Sequence, residues 1–257
     1  MNIAIGDLLE GLYWNSGVLE GLIKSKKSFN LYTSGTGSLI GIFYGMYGET
    51  FFGRLKTFLL EKENHLKKIF NINKIYSNRY SQASMLLKLG GGKLELYNQK
   101  DLKTYLNSYF KDLKIKDLKN KVNFEVFNIK TGKSCYLKEE TKLSDVLLME
   151  LAISPFYKYY EYNDGFYIAS SKLGFVPIDV PNDTLYTSYE YKICLENPKN
   201  ASEILLKSSF LLAKKNFEII TENHNTIIPF KVSENPFNIQ TFFDGVKAIQ
   251  NYLEENK

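Results

Sequence analysis

The sequence predicts an α/β protein with a mostly parallel central sheet and helices on both faces, and three observations carry that expectation. Short β-prone runs alternate with apolar segments of helical period: Ile3 to Ile5, Val18 to Lys26, Phe29 to Thr33, then Leu39 to Tyr47. A turn of small residues, Ser34-Gly35-Thr36-Gly37-Ser38, joins the second strand to the second helix. The uncharged stretch from Ser28 to Gly48 is long enough to cross a bilayer. Its glycines (Gly35, Gly37, Gly41, Gly45, Gly48) and its hydroxyl residues divide it into strand, turn and helix, so a buried position in a globular core is expected. At 257 residues and 44% hydrophobic, one domain spanning 1–257 is the simplest organisation.

Each element follows from local pattern. Leu19, Leu22 and Ile23 share one side of the first helix, and Gly37, Gly41 and Gly45 share one face of the second, which allows close approach to the sheet. Glu49 to Phe70 is expected to form one or two helices, with Phe51, Phe52, Leu55, Phe58 and Leu59 inward, and Tyr76 to Leu87 another. Gly90-Gly91-Gly92-Lys93 is followed by Leu94 where a phosphate-binding loop needs Ser or Thr, so a flexible turn is expected. Val122 to Leu137 reads as a hairpin: Val122, Phe124 and Val126 alternate with Asn123, Glu125 and Phe127, and Lys130-Thr131-Gly132-Lys133 turns the chain. Ser144 to Leu151 reads as a helix opened by a serine cap, ending near Ser154-Pro155. Glu161 to Asp179 holds short strands around Asn163-Asp164-Gly165. The last helix falls within Phe237 to Asn256, with Phe242, Phe243, Val246, Ile249 and Tyr252 as its apolar stripe.

The charge pattern narrows the function classes. The net charge of +5 is spread along the chain, and the densest cluster, Lys111 to Lys121, is interrupted by Asp112 and Asp117. It reads as a solvated helix face, and no nucleic-acid partner is expected. Two cysteines, Cys135 and Cys194, make no disulfide framework, and with no signal peptide visible a reducing cytoplasm is expected. The two histidines, His65 and His224, have no partner at ligand spacing, so neither a metal nor any other cofactor is expected. Cys135 with either histidine has no spacing that supports nucleophilic chemistry. The run Phe156 to Tyr162 is expected to pack against the sheet, with an exposed aromatic patch as the alternative.

The turn at 34–38 has the form of a nucleophile elbow, in which small neighbours let one side chain stand on a strained strand-to-helix turn. Together with three other segments it resembles the patatin-like phospholipase family, whose fold is a three-layer α/β sandwich. In that family the first strand leads to a G-G-G-x-R-G oxyanion loop and a helix opening with G-V-L. Here Gly17-Val18-Leu19 matches the helix, while Asp7, Leu8, Leu9, Glu10, Gly11 and Leu12 occupy the loop. The family's G-x-S-x-G, counted without gaps from Gly17, puts Thr36 at the nucleophile; a shift of one residue puts Gly37 there. Asn128-Ile129-Lys130-Thr131-Gly132 is similar to the family's D-L-x-T-G turn. Gly165 to Pro177 resembles G-Y-Y-V-D-G-G-L-V-N-N-x-P, with Ala169-Ser170-Ser171 at the catalytic Asp-Gly-Gly.

The resemblance implies a Ser-Asp dyad with a glycine oxyanion loop, and none of the three parts stands in this chain. Thr36 is β-branched and stiff, Ala169 carries a methyl group that accepts no proton, and Leu8, Leu9 and Glu10 crowd the anion position. The expectation is a catalytically inactive member that works in the cytoplasm by binding a protein partner or a lipid, with peripheral membrane contact left open. The alternative is a diverged lipid acyl hydrolase that uses Thr36 with a relocated acid, Asp164 or Asp179. The alignment holds if Thr36 and Ala169 face each other across an apolar cleft, and a carboxylate or imidazole within reach of the Thr36 hydroxyl would favour the enzyme.

Overall fold

The computed structural model describes residues 1–6, 11–61, 95, 97–152, 157–187, 201–222, 224, 226–227 and 238–256. Eight strands form one sheet: β1 (Asn2–Ile5), β2 (Asn30–Thr33), β3 (Val122–Asn128), β4 (Lys133–Tyr136), β5 (Tyr160–Tyr162), β6 (Gly165–Ala169), β7 (Thr184–Thr187) and β8 (Thr226–Ile227). Their order is β5-β6-β3-β2-β1-β7-β8, with β4 paired to β3 off that path. The pairs among β3, β2, β1, β7 and β8 are parallel, and those of β3 with β4, β3 with β6 and β5 with β6 are antiparallel. The described helices are α1 (Leu12–Lys24), α2 (Thr36–Tyr47), α3 (Phe51–Glu61), α4 (Gln99–Phe110), α5 (Leu143–Glu150), α6 (Ala201–Thr221) and α7 (Ile239–Glu255).

Register decides what each face buries. Ile3 lies between Leu31 and Leu185, and Ala4 between Tyr32 and Tyr186. Because successive side chains point to opposite faces, the two rows enter different cores. Ile3, Leu31 and Leu185 join the large cluster with Leu19, Leu22, Ile40, Phe43, Phe58, Leu106 and Leu147, contributed by α1 to α5. Ala4 and Tyr186 pack with Val176 and, from α6, Phe217 and Ile220. Helices therefore cover both faces, and the architecture is the three-layer α/β one that the sequence predicts. α1 and α7 cross closely: a methyl group on Gly17 would strike the Phe242 carbonyl, and one on Gly245 the Trp14 carbonyl.

Local chemistry accounts for most boundaries. Asn98 and Asn238 cap α4 and α7 by accepting the N–H of Lys100 and Gln240, each at 3.0 Å. Asn163 and Asp164 both take positive φ, 43° and 62°, and close the β5–β6 hairpin between the paired Tyr162 and Gly165. Gly132, at φ 69°, turns β3 into β4.

Some expectations are corrected. α1 begins at Leu12, well before Val18. Lys142, not Ser144, holds the N-cap position of α5 and makes no side-chain cap bond, and Ser144 lies buried in the first turn. The segment from Lys111 to Lys121 is not a helix face: Lys111 ends α4 at φ 53°, and Ile115–Asp117 is a single 3-10 turn. Its lysines still face solvent, where Lys114 and Lys116 both reach Glu140 at 2.8 Å. In α7 Phe243 is exposed, so the buried stripe is narrower and runs through Phe242, Gly245, Ile249 and Leu253. Tyr157 and Tyr160 are buried, as the packed reading of that run requires. The helix expected over 76–87, the turn at 90–93, His65 and Cys194 lie outside the described residues. Among the described residues no helix is long and apolar enough to cross a membrane.

Candidate functional site at the elbow

The site lies at the C-terminal edge of the parallel strands, the usual place for function in open α/β sheets. β2 ends at Thr33, the Ser34 N–H still donates to the Ile5 carbonyl at 3.1 Å, and α2 starts at Thr36. The turn between them rests on Gly35, at φ 63° and ψ −134°. Side chains rarely adopt this conformation, and glycine adopts it freely. Gly37 answers a second demand: a methyl group there would collide with the Ile5 carbonyl and lie 2.8 Å from that of Gly6, so α2 can seat against the end of β1 only with glycine.

Two buried glutamates converge on this turn. Glu150, the last residue of α5, accepts the Gly35 N–H at 2.7 Å and the Ser34 hydroxyl at 3.2 Å on Oε2; its Oε1 lies 2.7 Å from Ser38 Oγ. Ser38 Oγ in turn is 3.2 Å from Thr33 Oγ1. Glu125, in β3, takes the N–H groups of Ile178 and Asp179 at 2.7 Å, one on each oxygen, and the Ser170 hydroxyl at 2.6 Å on Oε2. The two halves meet where Ser170 Oγ and Ser34 Oγ stand 2.9 Å apart, with the Ser171 N–H donating to Ser34 Oγ at 3.0 Å. Thr33, Ser34, Ser38, Glu125, Glu150, Ser170 and Ser171 are all fully buried.

Burial dominates the electrostatics. It pushes the Glu150 carboxyl well above the usual carboxylate range, opposed by its donors Gly35, Ser38 and Ser34 and reinforced by the Glu125 charge. Burial raises Glu125 as well, with Ser170, Ile178 and Asp179 as donors pulling it back and the Asp179 charge pushing it up. Tyr186 is pushed up to about 12, first by burial and then by Glu125, and the Cys135 thiol is raised for the same two reasons.

The residues singled out from the sequence fall as follows. Thr36 is the first residue of α2 and Gly37 the second, so the strained position of the turn is Gly35, ahead of both. Ala169 ends β6 opposite Val126, and it is the next residue, Ser170, that reaches the elbow. The contact between these two strand ends is a closed polar one, not an apolar cleft. Asp7, Leu8, Leu9 and Glu10 lie outside the described residues, while Gly11 caps α1 and Leu12 is fully buried. Asp164 is exposed on the β5–β6 hairpin, and Asp179 is exposed and hydrogen-bonds to the site through its backbone N–H. Cys135 is half-buried on β4, across the sheet from His224, which packs edge-on against Tyr186 of β7.

Glu125 and Glu150 were missed by sequence reasoning, and each left a signal. Glu150 stands inside Leu147-Leu148-Met149-Glu150-Leu151-Ala152, an apolar run in which a solvated carboxylate is out of place. Glu125 alternates with inward residues and so reads as solvent-facing, but Phe124, Glu125 and Val126 are buried in succession, so both faces of β3 are covered there.

A sequence model of the family described as patatin-like phospholipase matches residues 12–181, a span that includes the elbow, both glutamates and Ser170. No curated protein matches the chain. With that match over most of the sequence, on a mostly parallel sheet between helices with a strand-turn-helix elbow, the chain belongs to the patatin-like phospholipase family.

Proposed function

We propose that this protein is a patatin-like member that does not hydrolyse lipid esters and acts by binding a partner in the cytoplasm. One observation carries the reading: the strained position of the elbow is Gly35, which has no side chain to attack with. Ala169 adds no proton acceptor, and the hydroxyls nearest the turn, Ser34 and Ser170, are buried and bonded to glutamates. Those glutamates fill with polar groups the place where an acyl chain would require an apolar wall. A protein partner therefore fits better than a bound lipid. The test is direct: purified protein should give no turnover of short-chain esters or mixed phospholipids above blank, and should carry no stoichiometric fatty acid or phospholipid by mass spectrometry. Copurifying lipid near one to one would favour the lipid-binding form instead.

A relocated hydrolase is the second reading, and Ser34 favours it more than Thr36 does. Its hydroxyl lies 3.2 Å from Glu150, a carboxyl whose raised pKa would make it the stronger base once ionised. Labelling of Ser34 by a fluorophosphonate, abolished in Ser34→Ala, would establish that chemistry.

A further inference from the structure

The two buried carboxylates are unequally supplied with donors. A backbone N–H can only donate. Glu125 receives one on each oxygen, from Ile178 on Oε2 and Asp179 on Oε1, and the Ser170 hydroxyl besides, so a proton on either oxygen would have to share it with a fixed backbone donor. Glu150 receives one backbone N–H, from Gly35 on Oε2. Its Oε1 meets the Ser38 hydroxyl, which can accept a proton's bond and turn its own hydrogen to Thr33 Oγ1 at 3.2 Å. The Thr33 hydroxyl is then directed at the Asn123 carbonyl, 3.5 Å away. On the other side, Ser34 Oγ accepts from the Ser171 N–H and can donate to Glu150 Oε2 or to Ser170 Oγ.

We propose that Glu125 and Glu150 hold a single proton between them, carried on Oε1 of Glu150, and that losing this proton loosens the elbow. The assignment gives every hydrogen in the chain from Glu125 through Ser170, Ser34, Glu150, Ser38 and Thr33 one acceptor. Among the described residues, no cation acts on either glutamate to balance a second negative charge. β2 and α2 present Thr33, Ser34, Gly35 and Ser38 to Glu150, and β6 and its exit present Ser170 and Ser171. The charged groups acting on the pair are acidic, Asp179 on Glu125 and Glu125 on Glu150, and Cys135, Tyr136 and Tyr186 beside Glu125 are themselves acids. Ionising Glu150 therefore sets two buried carboxylates against each other across two serines, and the contact between the end of α5 and the Gly35 turn is the one that must yield. The device goes beyond the binding role and does not depend on which partner is bound.

The experiment uses the intact protein with isotope-labelled glutamate. At pH 7 the infrared spectrum should show one protonated-carboxyl C=O band, absent in Glu150→Gln and kept in Glu125→Gln. Amide exchange at Gly35, compared at equal pH, should become faster in the wild type than in Glu150→Gln, with the ratio growing as pH rises. Absence of the band in the wild type, its loss in Glu125→Gln, or a ratio that stays flat with pH would overturn the proposal. If Glu150→Gln does not fold, the wild-type band and its fate in Glu125→Gln decide the same question.

Discussion

Ser34 and Ser170 bring their hydroxyl oxygens to 2.9 Å, joining the exit of β2 to the exit of β6 across the intervening β3. The first belongs to the parallel part of the sheet and the second to the antiparallel ladder. Each stands next to a residue described above: Ser34 precedes Gly35, the strained residue of the turn, and Ser170 follows Ala169, which ends β6. What meets between these strand ends is a pair of buried hydroxyls, each bonded to a glutamate. Four expectations follow from this arrangement and from the charges around it.

Gly35→Ala should lower stability by about 1–3 kcal/mol, because a methyl group must then adopt the φ 63°, ψ −134° conformation. Gly35→Ser should destabilise similarly and remain inactive on esters, since Ala169 offers no base. Urea titrations and an esterase assay measure both; strong turnover in Gly35→Ser would mean that another group accepts the proton.

Replacing Glu150 separates charge from geometry. Glu150→Ala leaves the buried Gly35 N–H and the Ser34 hydroxyl without this acceptor and Ser38 Oγ without its partner, at roughly 1–3 kcal/mol for the backbone group alone. Glu150→Gln keeps an acceptor for Gly35 and a donor for Ser38 and should be close to neutral in thermal melts at mildly acidic pH. Equal losses in the two variants would contradict the network.

At the surface, hydrogen bonds from Lys114 and Lys116 hold Glu140 down to about 2. A carboxylate held below its unfolded value stabilises the fold above that value and loses the contribution as pH falls toward the folded one. The wild type should therefore lose stability on acidification through this window slightly more steeply than Glu140→Gln. Because the group is exposed, the difference should be small and should shrink in high salt. Denaturation midpoints between pH 5 and about pH 2 at two salt concentrations test it.

Asp164→Gly should raise stability by a few tenths of a kcal/mol up to about 1, since glycine takes φ 62° without strain and suits the second position of this hairpin turn. It should leave any residual ester turnover unchanged. A loss of turnover would instead revive Asp164 as a relocated acid.

How far the sequence could be read depended on whether the information was local. The alternation of strand and helix, the β3–β4 hairpin and the Asn163-Asp164 turn are written in neighbouring residues, and the structure reproduces them. The register of the elbow was not local. Which of Gly35, Thr36 and Gly37 takes the strained conformation depends on where α2 begins, and that is fixed by Gly37 meeting the carbonyls of Ile5 and Gly6 on a different strand. Glu125 escaped for a related reason, since strand alternation assigns faces but cannot reveal that the backbone of Ile178 and Asp179 closes over the second face of β3. Ser144 looked like a cap because serine often is one, yet Lys142 occupies that place.

The position of β1 sets the order in which the protein can be completed during synthesis. Its strand partners are β2, close behind it in sequence, and β7 at Thr184–Thr187, which emerges far later. Until then one edge of a central strand is open, and Ala4 lacks both Tyr186 and the cover of α6. Contacts of such wide sequence separation slow folding and leave strand edges available for wrong pairing. A nascent chain truncated before Thr184 should therefore be the aggregation-prone species, and the stretch of chain between β2 and β7 is the interval over which a chaperone would have to shield it.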